Sequence, residues 1–243
     1  MNSPYKAQFG EDRFLDDYFD HKRDGYYVEI GAFNGVKMSN TYFFEQQGWR
    51  GLLVEADPDL AEQCRSARPH STVVNCAVVA PGSPAIVKFQ ISTDSKSLSS
   101  LSFDEARKKN LVLQTGDLRI TEIEVQGRTL DDVLTEESVG RIDFLTIDVE
   151  GYEWAVLQGF SIERWRPEIV ILERNTMFPD RRIVRYMFGH GYRYLRTRGV
   201  NDWFVLRDAS AAETFGNLAR FIATLYVRRP LRKLYHRLRR HRP

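Results

Sequence analysis

The residues whose types and spacing could do chemistry are carboxylates and glycines at the ends of apolar runs. The first set is Val28-Glu29-Ile30-Gly31-Ala32-Phe33-Asn34-Gly35. Neither Gly31 nor Gly35 carries a Cβ, so the backbone there can pass close to a bound molecule. A helix beginning near Val36 would aim free N–H groups at whatever occupies the turn. Glu55 lies 24 residues after Gly31, at the end of the run Gly51-Leu52-Leu53-Val54. An acid at that place can accept hydrogen bonds from both hydroxyls of a ribose. NAD and S-adenosylmethionine both carry such a ribose. The turn lacks the full G-x-G-x-x-G spacing, and Glu29 stands two residues before its first glycine. That acid would repel a pyrophosphate but could meet the amino group of a methionine moiety, which favours S-adenosylmethionine. The plain alternatives are an ordinary strand-to-helix turn and a surface acid.

The second set is Asp148-Val149-Glu150-Gly151. In a strand, Asp148 and Glu150 point to the same side. The expectation is that one acid caps the following helix, as acids at helix N-termini do, and that the other serves the site. Glu173 and Asn175 end the next apolar run. Methyl transfer from a sulfonium is an in-line displacement that depends on positioning two reactants, and a hydroxyl acceptor must also lose its proton to a base or beside a metal. Asp148 is the first choice of base, with Glu150 and Glu173 as further catalytic candidates. Asp148, Glu173 and Asn175 could together offer oxygen ligands to Mg²⁺. His190, between two glycines, reads as a loop residue, and His21 and His70 as surface positions.

The elements that must position these groups alternate. Apolar runs at Tyr26–Gly31, Gly51–Ala56, Thr72–Val79, Asp143–Val149 and Glu168–Leu172 read as strands. Helices are expected over Lys37–Gln47 with Gly48 as its stop, from Pro58 to about Arg68, over Leu130–Thr135, after Gly151, and over Arg181–Phe188. Continuous apolar strands separated by helices mean a parallel sheet covered on both faces. Tyr192–Thr197 and Trp203–Leu206, joined by a short link, are expected as antiparallel neighbours. The fold class is therefore α/β, a seven-stranded, mostly parallel sheet with a terminal antiparallel hairpin. Ala85–Ile91 and Thr121–Val125 alternate like half-exposed strands. The Ser-rich loop and short helix (Phe103–Asn110) between them read as an insertion near the ligand, with Ser92–Asp117 helping to form the acceptor pocket. Residues 1–24 form a lead-in with Phe14, Leu15, Tyr18 and Phe19 at helical spacing, residues 25–208 the main domain, and 209–243 a tail.

Taken together, Val28–Gly35, Gly48-Trp49-Arg50-Gly51-Leu52-Leu53-Val54-Glu55-Ala56-Asp57-Pro58, Asn75-Cys76-Ala77, Thr129-Leu130-Asp131, Ile147–Glu153 and Val156–Gly159 resemble the FkbM family of S-adenosylmethionine-dependent methyltransferases. The match runs from about Tyr26 to Asn175 in the right order, and Gln8-Phe9-Gly10-Glu11-Asp12 resembles a lead-in of many members. Thr146 stands where many members have Lys, and Glu55-Ala56 replaces Glu-Pro. The resemblance implies a Rossmann-like methyltransferase fold and O-methylation, often of sugars or natural-product hydroxyls. By the same token, Gly31, Ala32, Asn34 and Gly35 would wrap the methionine end of the cofactor and Glu55 would hold the ribose. Asn75 and Ala77 would lie near the adenine.

Composition narrows the classes further. The two cysteines, Cys64 and Cys76, are twelve apart and in no metal-ligand pattern, so neither a disulfide framework nor a zinc site is expected, which fits a reducing, cytoplasmic compartment. No signal peptide or membrane-spanning run is read. The net charge of +2 hides an acidic body and a basic end. Phe215–Pro243 carries nine Lys/Arg and no acid, leaving 26 Lys/Arg against 33 Asp/Glu elsewhere. Apolar residues recur at helical spacing in this tail. It could pack on the domain, lie on an anionic membrane at the inner face, or contact nucleic acid, which no recognised module supports. The leading expectation is an O-methyltransferase acting on a hydroxyl of a sugar, a glycan (lipid-linked included) or a small secondary metabolite. The competing classes are a non-catalytic cofactor-binding or membrane-associated module and, more distantly, an NAD-dependent oxidoreductase.

Overall fold

The computed structural model describes residues 3–92, 100–101, 119–174 and 180–206. Asn175, the Phe103–Asn110 helix, most of the Ser92–Asp117 segment and the 209–243 tail lie outside the described residues.

Seven strands form the central sheet. They are β1 (Tyr26–Ile30), β2 (Arg50–Glu55), β3 (Ser71–Asn75), β7 (Phe144–Ile147), β8 (Ile169–Glu173), β9 (Tyr192–Arg198) and β10 (Asn201–Leu206), in the order β3-β2-β1-β7-β8-β10-β9. The first five are parallel, and β10 runs antiparallel to both β8 and β9. The strand order reverses between β1 and β7, so the cleft above their carboxyl ends is the switch point where α/β sheets bind ligands.

Alternate side chains serve two cores, as the strand period requires. Val28, Ile30, Leu52, Val54, Leu145, Ile147, Val170 and Leu172 pack on one face, against the helices α4 (Leu130–Glu136), α5 (Glu153–Gln158) and α7 (Arg181–Gly189). The short helix α6 (Ile162–Trp165) joins them. Tyr27, Leu53, Phe144, Ile169, Ile171 and Trp203 pack on the other face, with α1 (Glu11–Tyr18) and α2 (Tyr42–Gln46). The eight-residue α1 is too short to be stable alone; complete burial of Leu15 contributes about 1.5–3 kcal/mol toward holding it. Its acids explain the lead-in motif. Asp12 Oδ2 accepts from the Lys6 and Ala7 N–H groups at 2.5 and 2.9 Å, and Glu11 accepts from Phe9 N at 2.9 Å and Asn201 Nδ2 at 3.0 Å. The lead-in is thereby tied to the terminal hairpin.

Helix α3 (Pro58–Ala67) starts as its residues dictate, with Asp57 Oδ1 accepting from Asp59 N at 2.9 Å and proline in the first turn. Gly48 stops α2 in a left-handed conformation (φ +95°), with Trp49 N donating to the Phe44 carbonyl at 3.0 Å.

Two elements differ from the sequence reading. The expected Lys37–Gln47 helix is confined to Tyr42–Gln46. The expected Thr72–Val79 strand is two strands. β3 ends at Asn75, and β4 (Ala77–Val78) turns away to pair with β6 (Ile120–Arg128), which is antiparallel to β5 (Ile86–Ser92). A continuous apolar run does not reveal that hydrogen-bonding partners change midway. This three-stranded sheet, β4-β6-β5, stands beside the cleft.

Candidate functional site

The site is built on the turn after β1. Gly31 N and Ala32 N both donate to the Val54 carbonyl, at 2.9 and 3.2 Å, and Asp148 N donates to the Ile30 carbonyl at 2.9 Å. Gly31 has φ +80°, and a Cβ there would sit 1.8 Å from the Asp148 carbonyl oxygen. The turn crosses the end of β7 so closely that only glycine fits. The chain then closes a tight turn, with Gly35 N donating to the Ala32 carbonyl at 2.9 Å.

No helix starts at Val36, so no helix N-terminus points into the turn. The Val36 and Lys37 N–H groups instead donate to Asn34 Oδ1 at 3.1 and 2.9 Å, and Met38 is left-handed (φ +60°). The reason lies in Glu29, whose buried carboxylate draws the following segment over itself. It accepts from Ser39 Oγ at 3.0 Å, Asn40 N at 3.1 Å and Thr41 Oγ1 at 2.6 Å. Burial raises the Glu29 carboxyl above its usual range, opposed by Arg68. Thr146, adjacent to Glu29 across the sheet, accepts from Asn40 Nδ2 at 3.0 Å and closes the same loop.

Arg68 was not singled out from sequence; it stands alone before a proline, with no periodicity to mark it. It is completely buried. Its guanidinium donates to Glu45 Oε2, the Gly35 carbonyl and the Tyr27 hydroxyl, all at 2.8 Å, and to Thr41 Oγ1 at 3.0 Å. One buried cation thus fixes the turn and the segment covering Glu29. A paired, fully bonded charge is the form in which burial is tolerated.

Above these residues opens a cleft of about 940 Å³, counting its mouth. Glu29, Gly31, Ala32, Glu55, Ala77, Asp148 and Glu150 line it, together with Leu60, Val78, Phe89 and Leu101. Asn34, Gly35 and Asn75 are not among its described walls. Asn34 organises the turn. Gly35 lies against Arg68, whose Cγ would be 3.0 Å from an added Cβ. Asn75 Nδ2 donates to the Glu55 and Ala56 carbonyls at 2.8 and 3.0 Å, supporting the ribose candidate from behind. Phe89, from β5, could not be assigned to the cleft before the chain's departure at Cys76 was known.

Glu55 is 6% exposed, and its two oxygens are aimed by backbone donors. Oε2 accepts from Phe33 N at 2.8 Å and Oε1 from Asp57 N at 2.9 Å. Each oxygen keeps a further lone pair for a ligand. Burial pushes the carboxyl up to about 7, against those two N–H groups. Apolar walls with an oriented carboxylate suit a purine nucleoside, the shape and polarity of the adenosyl part of S-adenosylmethionine.

At the other end stand the acids. β7 ends at Ile147, so Asp148 and Glu150 belong to the loop beyond it, with Glu150 and Gly151 left-handed at φ +55° and +106°. Neither caps α5. Tyr152 is its N-cap residue, and Glu153 Oε1 accepts from Gly151 N at 3.0 Å. Freed from capping, Asp148, Glu150 and Glu173 bring carboxylate oxygens within 4.8 Å of one another. Asp148 is exposed at the wall of the open cleft. Crowding by nearby protein atoms, despite that exposure, and then the like charge of Glu173 beside it raise its carboxyl above the usual range.

The Methyltransferase FkbM domain family matches residues 29–194. A comparison with curated proteins finds no match. Among solved structures, the chain is similar to a TehB-like SAM-dependent methyltransferase from Corynebacterium glutamicum, at 12% identity over 82% of this chain and 89% of that one (TM-score 0.43). It is also similar to an O-methyltransferase from Bacillus cereus in complex with SAH, at 16% identity over 81% and 80% (TM-score 0.44). The family match spans most of the sheet and both ends of the cleft, and the chain belongs to the FkbM family of S-adenosylmethionine-dependent methyltransferases.

Proposed function

We propose that the chain is an O-methyltransferase whose acceptor is a hydroxyl of a sugar, a glycan or a small secondary metabolite. The observation that carries this reading is the trio Asp148, Glu150 and Glu173, of which Asp148 and Glu150 line the same cleft as Glu55. A sulfonium cofactor supplies an electrophilic methyl group. Glu55, with Gly31 and Ala32, holds and orients the nucleoside and methionine ends. Asp148, its basicity raised, accepts the hydroxyl proton as the acceptor oxygen is methylated. Binding both reactants against rigid strand ends supplies the alignment on which displacement depends.

The same trio supports a metal-assisted variant, because closely placed carboxylate oxygens are the donors that Mg²⁺ takes. Asn175, expected as the third ligand, lies outside the described residues; among those described, Glu150 adds a carboxylate oxygen to Asp148 and Glu173. Held there, a divalent cation would lower the pKa of the acceptor hydroxyl.

The test is twofold. Calorimetry should show S-adenosylmethionine binding that falls at least about tenfold in Glu55→Ala, since a ribose-bridging carboxylate contributes about 1.5–3 kcal/mol. A mass-spectrometric screen of glycans and glycosides for added methyl groups should give products that Asp148→Asn abolishes. Products unchanged by EDTA would remove the metal variant. Cofactor binding with no transfer to any hydroxyl acceptor would leave a non-catalytic module.

A further inference from the structure

Glu173 lines a second cavity, and its carboxylate comes within 4.8 Å of those of Asp148 and Glu150, which line the cleft. This second hollow, of about 580 Å³ counting its mouth, lies between the loop after β7 and helix α7. It is lined by Trp154, Ile183 and Val184 on its apolar sides, and by Glu173, Arg174 and Asp202 at its polar end.

Arg174 is the unusual member. It is 7% exposed, and among the described residues its guanidinium makes no hydrogen bond. Its charge is balanced, because Asp202 Oδ2 lies 3.3 Å from Nε. Buried donors are ordinarily satisfied, and leaving them unmet costs free energy that a ligand can recover. A charge already neutralised by Asp202, with Glu173 and Glu153 also facing the hollow, gives an anion no advantage. Those oxygens accept hydrogen bonds and Arg174 donates them, the complement of a neutral polyol. Trp154 is half-buried and lines the hollow, with Tyr186 edge-on at 5.9 Å between ring centroids and the Arg182 guanidinium 5.4 Å over its ring, which leaves one indole face for a ligand. An indole face and an adjacent set of charged donors and acceptors is the pairing that binds the C–H face and hydroxyl edge of a pyranose.

We propose that this hollow is the acceptor subsite and that it takes a neutral sugar ring, stacked on Trp154 and hydrogen-bonded by Arg174 and Glu173. The inference rests on the O-methyltransferase reading for which way the reacting hydroxyl faces. Glu173 is shared by the hollow and the acid trio, so a hydroxyl bonded to it stands beside Asp148.

The test uses the full chain saturated with S-adenosylhomocysteine. Saturation-transfer NMR is run with methyl α-D-mannopyranoside, methyl α-L-rhamnopyranoside and methyl β-D-glucopyranoside, and with methyl β-D-glucuronoside as the anionic control. At least one neutral glycoside should receive saturation at its C–H protons. Trp154→Ala should abolish it, and Arg174→Met should weaken binding at least tenfold. Removing Arg174 leaves Asp202 unpaired, so Ile183→Trp serves as the second variant. It fills the hollow from the half-buried face of α7 and should block the glycoside while S-adenosylhomocysteine affinity stays unchanged. Glycoside signals that survive both Trp154→Ala and Ile183→Trp, binding of the glucuronoside alone, or no glycoside binding to protein that binds S-adenosylhomocysteine would each overturn the subsite. Failure to bind S-adenosylhomocysteine, with Trp154-dependent glycoside binding intact, would sink the methyltransferase reading and leave the sugar site standing.

Discussion

Glu55 shows how one side chain can be both held and available. Two backbone N–H groups fix its oxygens, while burial lifts its carboxyl to about 7. In the proposed role, the ionised form would accept from two ribose hydroxyls, and the protonated form would give up one acceptor position. S-adenosylhomocysteine affinity should therefore rise with pH up to about 7 and level off, weakening by as much as tenfold per unit below that. Glu55→Gln should bind more weakly and lose this pH dependence. Calorimetry across about pH 5.5 to 8.5 reads both, and an unchanged slope in Glu55→Gln would assign the titration elsewhere.

The elements hold the site through two close approaches. One is the crossing of the β1 turn over the end of β7. Gly31→Ala places a Cβ against the Asp148 carbonyl in a left-handed conformation that alone costs about 1–2 kcal/mol, so denaturant melts should show at least that loss. The other is Arg68, at the foot of α3, which joins β1, α2 and the segment over Glu29. Arg68→Met would leave Glu45 and Glu29 buried without their cation, a change worth about 3–5 kcal/mol. If the variant melts within about 1 kcal/mol of the parent, the network is not what positions the turn.

The whole molecule stores protons at the cleft and at the hollow beside it. The Glu55 and Glu153 carboxyls, both raised by burial to about 7, stay protonated in the folded chain where the unfolded chain would release them. Their contribution to stability is complete below about 4.5 and is lost as pH rises through about 7. The ligand-free protein should therefore lose melting temperature between about pH 5.5 and 8, and Glu55→Gln should flatten the loss. S-adenosylhomocysteine at a hundred times its Kd should restore about 2.7 kcal/mol. Among the described residues, no helix is long and apolar enough to cross a membrane.

The sequence by itself determined the sheet. The apolar strand runs, the glycine stops and the proline and aspartate at the start of α3 are local instructions, legible because each acts on its own neighbours. It also marked Glu55 and the Asp148–Glu150 acids, because strand ends are where an α/β sheet presents side chains to a ligand. What surrounds those acids was a tertiary matter. Glu29 could be placed near the cofactor loop by spacing, but only the fold shows three donors from residues 39–41 gathered on it, cancelling the helix that periodicity suggested. Arg68 carries no pattern at all; its importance comes from four elements converging on one point. The change of partner at Cys76, which turns one apolar run into two strands in two sheets, is likewise invisible to a rule that reads alternation along one chain. Periodicity reports which face is apolar, and only packing decides what that face meets.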